Sequence, residues 1–467
     1  MTDATPRKRS RPRAPTTALD QSVAALAHND PDQCLRIAIP VLDDVGAGAP
    51  AVDVIGRAAV SIGAIALARL AFETAARALA LQGLAAHAVA AAIAVHRLTS
   101  KSDLLTELAG VFGADARRDR RDVSVLPPPL ASERVTELAD VPRAELVALA
   151  QRKIEALRDA LPEVLPARGR LPLWGSLPRG AFERLAMAME VRVFGPAHAA
   201  ILEGEPSGSV FVVARGEVRI ARRRATPAEV DEEVDEPTPR ESMPAELPDA
   251  LEELAVLGAE AVFGEMALLS EAPRAASVHT TRASIVLEAP AAALALAVKA
   301  VPPLGDELRS FGQRRLLQNL LRAAPLLREV PPGDRAALVD AFETRAFGAG
   351  EVLLAQGSEP AGLFLVVSGR VEVRRREADG GELVVGDVGP GGCVGEVSLV
   401  LRRPTSATVA AVEPTVALVL APANFLGIVR QHPALLASLY ELAITRDEEL
   451  LQVTAQASES ADDLVIV

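Results

Sequence analysis

The chain has 467 residues, of which 49% are hydrophobic and only 3% aromatic, and this length is enough for two to four domains with cores of their own. Its formal net charge of −13 at pH 7 argues against nucleic acid as the main partner, because phosphate binding requires a basic surface. Two cysteines, Cys34 and Cys393, are too few for a disulfide framework, so a reducing cytoplasm is the expected compartment.

The N-terminal part of the chain predicts a basic tail followed by helices. Residues 1–17 are rich in Arg, Lys and Pro and are expected to be disordered. Residues 18–113 have helical periodicity, and Gly56, Gly63 and Phe72 fall at the spacing of a tetratricopeptide helix pair. The segment therefore resembles a short tetratricopeptide-like array, and an unrelated helical bundle fits the Ala-rich pattern equally well.

One uncharged stretch within that region, residues 78–96, has the length of a membrane span. It consists mostly of alanine, which inserts weakly into lipid, and it contains Gln82, His87 and His96. We expect a packed helix and no membrane contact.

A change of pattern marks the second half of the chain. Residues 114–143 are charged and Pro-rich and predict a linker. From 190 to 290 and again from 343 to 420, short apolar strands alternate with Gly-containing turns, as in an all-β barrel or sandwich. The two stretches are copies, because residues 194–218 align without gaps to residues 347–371 at an offset of 153.

The copies also share a Gly-Glu pair, which begins at Gly264 in the first copy and at Gly395 in the second. These pairs are 131 residues apart, whereas the aligned strands before them are 153 residues apart. The first copy therefore contains 22 more residues than the second between the aligned strands and the Gly-Glu pair. Most of them lie in 225–250, where nine acids and regularly spaced prolines predict a disordered acidic loop between strands. A calcium-binding loop is the alternative, but the run lacks the Asp-x-Asp-x-Asp-Gly spacing.

The stretch "FGEMALLSEAPRAASV" at 263–278 carries the most specific chemistry. Gly264 lets the backbone come close to a ligand, and the short helix expected after it directs free N–H groups at an anion. Arg274 can give a phosphate two parallel charge-assisted bonds, and Glu265 can accept a bond from a sugar hydroxyl. With small residues after Arg274 to leave room, these groups predict a site for a small phosphorylated sugar.

The same stretch resembles the phosphate-binding cassette of cyclic-nucleotide-binding domains, as in kinase regulatory subunits and catabolite-activator-type regulators. The matching residues are Phe263, Gly264, Glu265, Ala267, Leu268, Pro273, Arg274, Ala275, Ala276 and Val278. The resemblance covers about 170–450 as two domains in tandem.

This resemblance implies specific roles in ligand binding. Glu265 would hold the ribose 2′-hydroxyl and Arg274 the cyclic phosphate, while backbone N–H groups of Gly264, Ala267 and Ala275 would complete the cradle. In this family a Thr or Ser after the arginine favours cyclic GMP, so the alanine here favours cyclic AMP, with cyclic GMP as the alternative. The predicted ligand-binding residues are Gly264, Glu265, Ala267, Arg274, Ala275 and Ala276.

The second copy keeps the acid and loses the arginine. Glu396 matches Glu265, but Thr405 and Ser406 stand where the first copy has Arg274 and Ala275. Losing a charge-assisted phosphate contact costs about 1.5–3 kcal/mol, which is roughly ten- to a hundred-fold in affinity. A weak or silent site is therefore predicted at Gly395, Glu396, Thr405 and Ser406. The nearby Arg402 and Arg403 are alternative phosphate contacts.

The predicted fold class is α+β and multidomain, with an N-terminal tetratricopeptide-like helical region followed by two jelly-roll cyclic-nucleotide-binding domains and their flanking helices. The expected segments are a tail (1–17), helices (18–113), a linker (114–143), a first binding domain (144–300), a connecting helix (301–325), a second, degenerate domain (326–450) and a C-terminal tail (451–467).

The sequence thus predicts a cytoplasmic cyclic-nucleotide receptor that signals to an unidentified effector protein. We expect no enzyme activity, cofactor or metal, because catalytic motifs are missing and the six His residues are scattered singly. Phe311 and Leu316 are candidates to cap the base, or belong to the core. A scaffold that binds no nucleotide is the main alternative. A transcription regulator is disfavoured, because fewer than thirty residues follow Tyr440.

Overall fold

The computed structural model describes residues 17–44, 47–116, 138–167, 173–206, 208–223, 251–265, 273–323, 331, 338, 341–377 and 381–463. The predicted basic tail (apart from residue 17), the acidic loop at 225–250 and Ala267 lie outside these residues, as does most of the linker.

The chain divides into two compact units, and both are discontinuous in sequence. The first comprises Met1–Ala200, Phe211–Val262 and Ser277–Ala289. The second comprises Ile201–Val210, Phe263–Ala276 and Pro290–Val467.

The N-terminal region is helical, as expected from its periodicity. Its six helices are α1 (Ala18–Ala27), α2 (Pro31–Val41), α3 (Gly48–Ser61), α4 (Ile65–Leu81), α5 (Ala85–Thr99) and α6 (Asp103–Phe112). Asn29 and Gly63, which are 34 residues apart, both adopt positive φ angles (59° and 77°) in the turns after α1 and α3. Gly56 and Phe72 are in direct contact: a Cβ at Gly56 would lie 2.8 Å from the Phe72 ring, so only glycine lets α3 and α4 approach this closely.

A buried polar cluster links α3 and α5. Asp53 accepts hydrogen bonds from Arg57 Nε at 2.8 Å and Nη2 at 2.9 Å, and His87 Nε2 lies 3.1 Å from its Oδ2. Burial alone would raise the pKa of Asp53, but Arg57 and His87 lower it overall. The carboxylate is thus satisfied inside an otherwise apolar bundle.

Two further helices, α7 (Arg143–Asp159) and α8 (Arg179–Ala188), precede the first set of strands. Those strands are β1 (Glu190–Phe194), β2 (Ala199–Ile201), β3 (Ser209–Arg215), β4 (Val218–Arg223), β5 (Leu251–Leu257), β6 (Val262–Phe263), β7 (Ser277–Thr280) and β8 (Ser284–Pro290). They form two four-stranded sheets with the orders β1-β8-β3-β6 and β2-β7-β4-β5.

The second set of strands repeats this arrangement. It consists of β9 (Glu343–Phe347), β10 (Val352–Leu354), β11 (Leu363–Ser368), β12 (Val371–Arg376), β13 (Glu382–Val388), β14 (Cys393–Val394), β15 (Thr408–Ala411) and β16 (Thr415–Leu420). The sheet orders are β14-β11-β16-β9 and β10-β15-β12-β13, which are the first pair of orders shifted by eight strands. The two barrels therefore share one topology, as the sequence copies predict.

The remaining helices of the described residues flank the barrels, apart from one short helix that lies between β14 and β15 of the second barrel. They are α9 (Ala291–Ala300), α10 (Pro302–Ala323), α11 (Glu396–Leu401), α12 (Pro422–Gln431) and α13 (Pro433–Asp463). Leu435 and Leu439 of α13 pack with Phe425 of α12 in the core of the second barrel. The helix continues through 451–463, a segment expected to be a tail.

Within the described part of the chain, no helix combines the length and apolarity needed to cross a membrane. Residues 78–96, the uncharged stretch, are divided between α4 and α5 by a turn in which Gly83 adopts a φ of 78°.

Candidate functional site

The first cassette begins where β6 ends. Gly264 adopts a φ of 73°, a backbone conformation that favours glycine, and Glu265 follows it with only 8% of its surface exposed. Arg274 is partly buried in the segment that leads into β7, where Ala275 is exposed. Residues 266–272, which include Ala267, lie outside the described residues.

The Arg274 side chain reaches back to the start of its own cassette. Its Nη1 donates to the carbonyl oxygen of Gly264 at 3.3 Å, and its Nη2 donates to that of Ser209 at 2.7 Å. These two bonds hold the Arg274 guanidinium beside Gly264, the residue immediately before Glu265. The structure thus brings together the acid and the arginine that the sequence predicts to share a ligand.

The backbone around Arg274 shows which residue replaces it in the second barrel. Gly204 N donates to Arg274 O at 2.8 Å, and Arg274 N donates to Glu205 O at 2.8 Å. In the second barrel, Gly357 N donates to Thr405 O at 2.8 Å, and Thr405 N donates to Ser358 O at 2.9 Å. Thr405 therefore occupies the backbone position of Arg274 without its charge.

The second cassette is built on a glycine that no other residue can replace. Gly395 adopts a φ of 89°, and a Cβ there would lie 2.3 Å from the carbonyl oxygen of Gly362. This turn places Glu396 at the first position of α11, where it is 1% exposed.

Glu396 is paired with an arginine that the sequence analysis does not single out. Arg446, in α13, donates from Nη1 to Glu396 Oε1 at 2.6 Å and also to the carbonyl oxygen of Cys393. Burial alone would lower the pKa of Arg446, but the Glu396 carboxylate raises it overall. Burial, followed by the charge of Glu396, raises the pKa of the Cys393 thiol to about 12. This pair joins α13 to the cassette.

A cavity of about 290 Å³ lies against this second cassette. All four residues of the predicted weak site, Gly395, Glu396, Thr405 and Ser406, line it. From α13, Arg446, Glu449 and Leu450 contribute to its wall. Its volume is close to the lower end of the range for small-molecule pockets.

The alternative phosphate contacts in the second barrel do not line this cavity. Arg403 donates to Asp447 of α13, and Arg402 is exposed to solvent with a φ of 51°. No sequence motif marks Arg446, which lies 50 residues beyond Glu396 in the chain. Its only sequence signal is a basic residue in a long amphipathic helix.

One comparison with known proteins falls on the second barrel. Residues 344–432 match the family model described as "Cyclic nucleotide-binding domain". The second barrel thus matches that family. The match spans less than half of the chain, and it falls on the copy that lacks the cassette arginine.

Regulatory subunits of protein kinases are among the similar proteins. A cAMP-dependent protein kinase regulatory subunit of Mycosarcoma maydis is 34% identical over 154 residues, which is 33% of this chain and 27% of the relative. The type II regulatory subunit of Drosophila melanogaster is 32% identical over 149 residues, which is 32% of this chain and 37% of the relative. The chain therefore covers well under two thirds of the length of either relative.

A solved structure also matches. It is the regulatory domain of Toxoplasma gondii PKA in a co-crystal with cAMP, and it shares 21% identity with a TM-score of 0.27, covering 59% of this chain and 92% of that one.

Proposed function

We propose that the chain is a cyclic-nucleotide-responsive regulatory protein whose first barrel binds the ligand. The observation that carries this proposal is the equivalence of Arg274 and Thr405: two barrels of one topology hold the same backbone pairs, and only the first has an arginine there. The family match of the second barrel and the kinase regulatory subunits among the relatives support the ligand class.

In the proposed complex, Arg274 binds the cyclic phosphate and Glu265 accepts a bond from the ribose 2′-hydroxyl. A guanidinium carries five N–H donors in a planar fork, so a phosphate can add to or exchange with the carbonyl partners on Gly264 and Ser209. Because alanine follows the arginine, we propose cyclic AMP as the ligand and cyclic GMP as the weaker alternative.

The signal would pass from the cassette to the helices that follow the first barrel. The cassette segment Phe263–Ala276 belongs to the same compact unit as α9 and α10, so a ligand that binds one arrangement of these elements better shifts the population toward it. Phe311 of α10 is buried, and capping of the base by this ring stays a prediction. The side chain of Leu316 lies outside the described residues.

We further propose that the N-terminal helices act as a tetratricopeptide-like surface for an effector protein, and that the chain itself has no enzyme activity. The close contact of Gly56 with Phe72 supports a repeat-like packing of α3 on α4. In this scheme the helices provide the output and the first barrel provides the input.

Calorimetric titration of the full chain with cyclic AMP and with cyclic GMP tests the proposal. We expect Arg274→Ala to weaken cyclic AMP binding by about ten- to a hundred-fold, because a charge-assisted contact is lost. Thr405→Ala, at the equivalent position of the second barrel, is the matched control and should leave the cyclic AMP affinity unchanged. Equal affinity of Arg274→Ala and the wild type, or no heat with either nucleotide, would favour the scaffold instead.

A further inference from the structure

Three residues of the first barrel contact the N-terminal helices. Arg215 and Arg282 bind Asp20 of α1, and their Nη2 atoms lie 2.6 and 3.0 Å from its carboxylate oxygens. Glu260, in the turn between β5 and β6, accepts a hydrogen bond from the backbone N–H of Ala86 at the start of α5. All of these residues belong to the first compact unit. We call Arg215, Glu260 and Arg282 the docking residues.

The second barrel has a different residue at each docking position. In the alignment of the two copies these residues are Ser368 in place of Arg215, Gly391 in place of Glu260 and Glu413 in place of Arg282. Hydrogen bonds support the alignment, because Ser284 Oγ donates to the carbonyl oxygen of Arg282 at 2.8 Å. In the second barrel, Thr415 Oγ1 donates to that of Glu413 at 2.8 Å. The docking residues are therefore specific to the first barrel and are not required by the shared topology.

The backbone at Glu260 adopts a conformation that favours glycine. Its φ is 68°, and Gly391 at the equivalent turn of the second barrel has a φ of 86°. The two turns are held in the same way, since Glu260 N donates to Val213 O at 2.8 Å and Gly391 N donates to Val366 O at 2.9 Å. A glutamate is strained in this region of the backbone map, whereas glycine is not. The Glu260 side chain therefore provides an interaction that offsets this strain.

That interaction caps α5. The helix begins at Ala85, and Leu84 before it forms no side-chain capping bond. Because the first N–H groups of a helix have no partner within it, the N–H of Ala86 needs an acceptor from elsewhere. The carboxylate oxygens of Glu260 lie 2.9 and 3.1 Å from this nitrogen. The first barrel thus supplies the cap that the sequence of α5 lacks.

The same glutamate lies close to the first cassette in the sequence. The turn of Glu260 leads directly into β6 (Val262–Phe263), and Gly264 and Glu265 follow. β6 has only two residues and lies at the end of its sheet, next to β3. So short an edge strand has few hydrogen bonds of its own, so the turn before it helps to fix its position. Whatever holds Glu260 therefore also helps to hold the start of the cassette.

We propose that Glu260 is a positioning residue for the first ligand site and that the N-terminal helices regulate the affinity of this site through α5. The proposal rests on the proposed function of the first barrel. While Glu260 caps α5, β6 presents Gly264 and Glu265 in the arrangement that binds the ligand. An effector that draws α5 away from Glu260 weakens ligand binding, and the ligand strengthens the contact of α5 with Glu260 by the same factor, because coupling between two binding events is reciprocal.

Calorimetric titration of the full chain with cyclic AMP provides the first test. Glu260→Gly introduces the residue of the second barrel, which fits the positive φ, so it removes the contact with α5 without straining the turn. We expect this variant to bind cyclic AMP about fivefold or more weakly than the wild type. Glu260→Gln keeps an oxygen acceptor for Ala86 and should restore most of the affinity. Arg192→Ser removes an exposed arginine whose partners, Glu190 and Glu288, both lie in the barrel, and it should bind like the wild type.

Amide hydrogen exchange at the start of α5, over residues 85–92, provides the second test. Cyclic AMP should slow exchange there in the wild type, whereas Glu260→Gly should exchange faster and respond little to the ligand. The start of α2 is the reference, because Asp30 of the same segment caps it through the N–H of Gln33. Faster exchange in Glu260→Gly with unchanged cyclic AMP affinity would show that Glu260 only caps the helix, and it would overturn the proposal.

Circular dichroism shows whether Glu260→Gly is folded. If it is not, the wild type decides the question, because cyclic AMP that leaves exchange at α5 unchanged relative to α2 contradicts the proposal and selective slowing supports it. Absence of cyclic AMP binding to the wild type would overturn the proposed function and this regulation together. Binding that is equally tight in the wild type and in folded Glu260→Gly would overturn the regulation alone.

Discussion

At the scale of single residues, Glu260 is a partly buried acid that connects the first barrel to the helical region. It lies in the turn between β5 and β6 with a φ of 68°. Its two carboxylate oxygens lie 2.9 and 3.1 Å from the backbone N–H of Ala86, at the N-terminal end of α5. Burial raises the pKa of Glu260 to about 8, against the lowering effect of that N–H group.

This raised pKa makes stability depend on pH. Between the ordinary pKa of a glutamate and about 8, the folded state binds more protons at Glu260 than the unfolded state, so this group lowers stability as pH rises through that window. Glu260→Gln keeps an oxygen acceptor for Ala86 and removes the titration. We expect its stability relative to wild type to increase from pH 5 to pH 9 in thermal unfolding.

The exposed Glu145→Gln removes the same charge from α7 and serves as the control. A Glu260→Gln curve parallel to that of the wild type over the whole pH range would contradict this account of Glu260.

The pKa of Asp20 shifts in the opposite direction to that of Glu260, although burial acts on both groups in the same direction. Burial alone would raise its pKa, but Arg215 at 2.6 Å and Arg282 at 3.0 Å lower it overall. Its Oδ2 also accepts the backbone N–H of Thr17, in the capping box that begins α1. One carboxylate thus caps a helix and neutralises two arginines of the first barrel.

We expect Asp20→Ala to lower the free energy of unfolding by about 3 kcal/mol, because removal of the buried carboxylate leaves two partly buried arginines uncompensated. Urea unfolding measures the loss. Glu73→Ala on the exposed face of α4, where the nearest arginine is 3.9 Å away, should cost under about 1 kcal/mol. Equal losses in the two variants would show that the Asp20 cluster contributes no more than a surface pair.

At the scale of elements, Arg446 is the side chain of α13 that bonds directly to the second cassette. Arg446 bonds both Glu396 and the carbonyl oxygen of Cys393, so it ties the helix to β14 and to the first turn of α11. The Cys393 thiol is buried beside this contact, and its raised pKa keeps it protonated and unreactive at neutral pH.

Arg446→Ala should therefore expose Cys393. We expect its thiol to react faster with a disulfide reagent such as DTNB, while Cys34, which is buried in α2, keeps its slow rate and provides an internal control. Arg430→Ala in α12 removes an exposed arginine and should change neither rate. If Cys393 reacts at the wild-type rate in Arg446→Ala, then Arg446 does not hold α13 in place.

At the scale of the whole molecule, the duplication of the barrel was predictable from sequence because it rests on local patterns. Alternating strands, Gly-containing turns and the Gly-Glu pairs survive in both copies, and the backbone pairs at Arg274 and Thr405 confirm their alignment. The loss of the cassette arginine in the second copy was also predictable, because the sequence alignment places Thr405 at the position of Arg274.

Other features depend on contacts between distant residues and left no local signal. Arg446 donates a hydrogen bond to Glu396, which lies 50 residues away in the sequence. Glu260 accepts one from Ala86, which lies 174 residues away. A single basic or acidic residue in a helix or turn ordinarily faces solvent, so these two contacts could not be predicted from the sequence. The cavity of the second barrel could likewise be seen only in the structure.

The central claim is that one of the two barrels binds cyclic AMP and that Arg274 marks it. Equilibrium dialysis of labelled cyclic AMP against the full chain, at a free ligand concentration about five times the wild-type dissociation constant, tests this claim by counting occupied sites. We predict close to one bound nucleotide per wild-type chain and per Thr405→Ala chain, and about a third of a nucleotide or less per Arg274→Ala chain at the same concentration. Two nucleotides per chain, or one retained by Arg274→Ala, would contradict it.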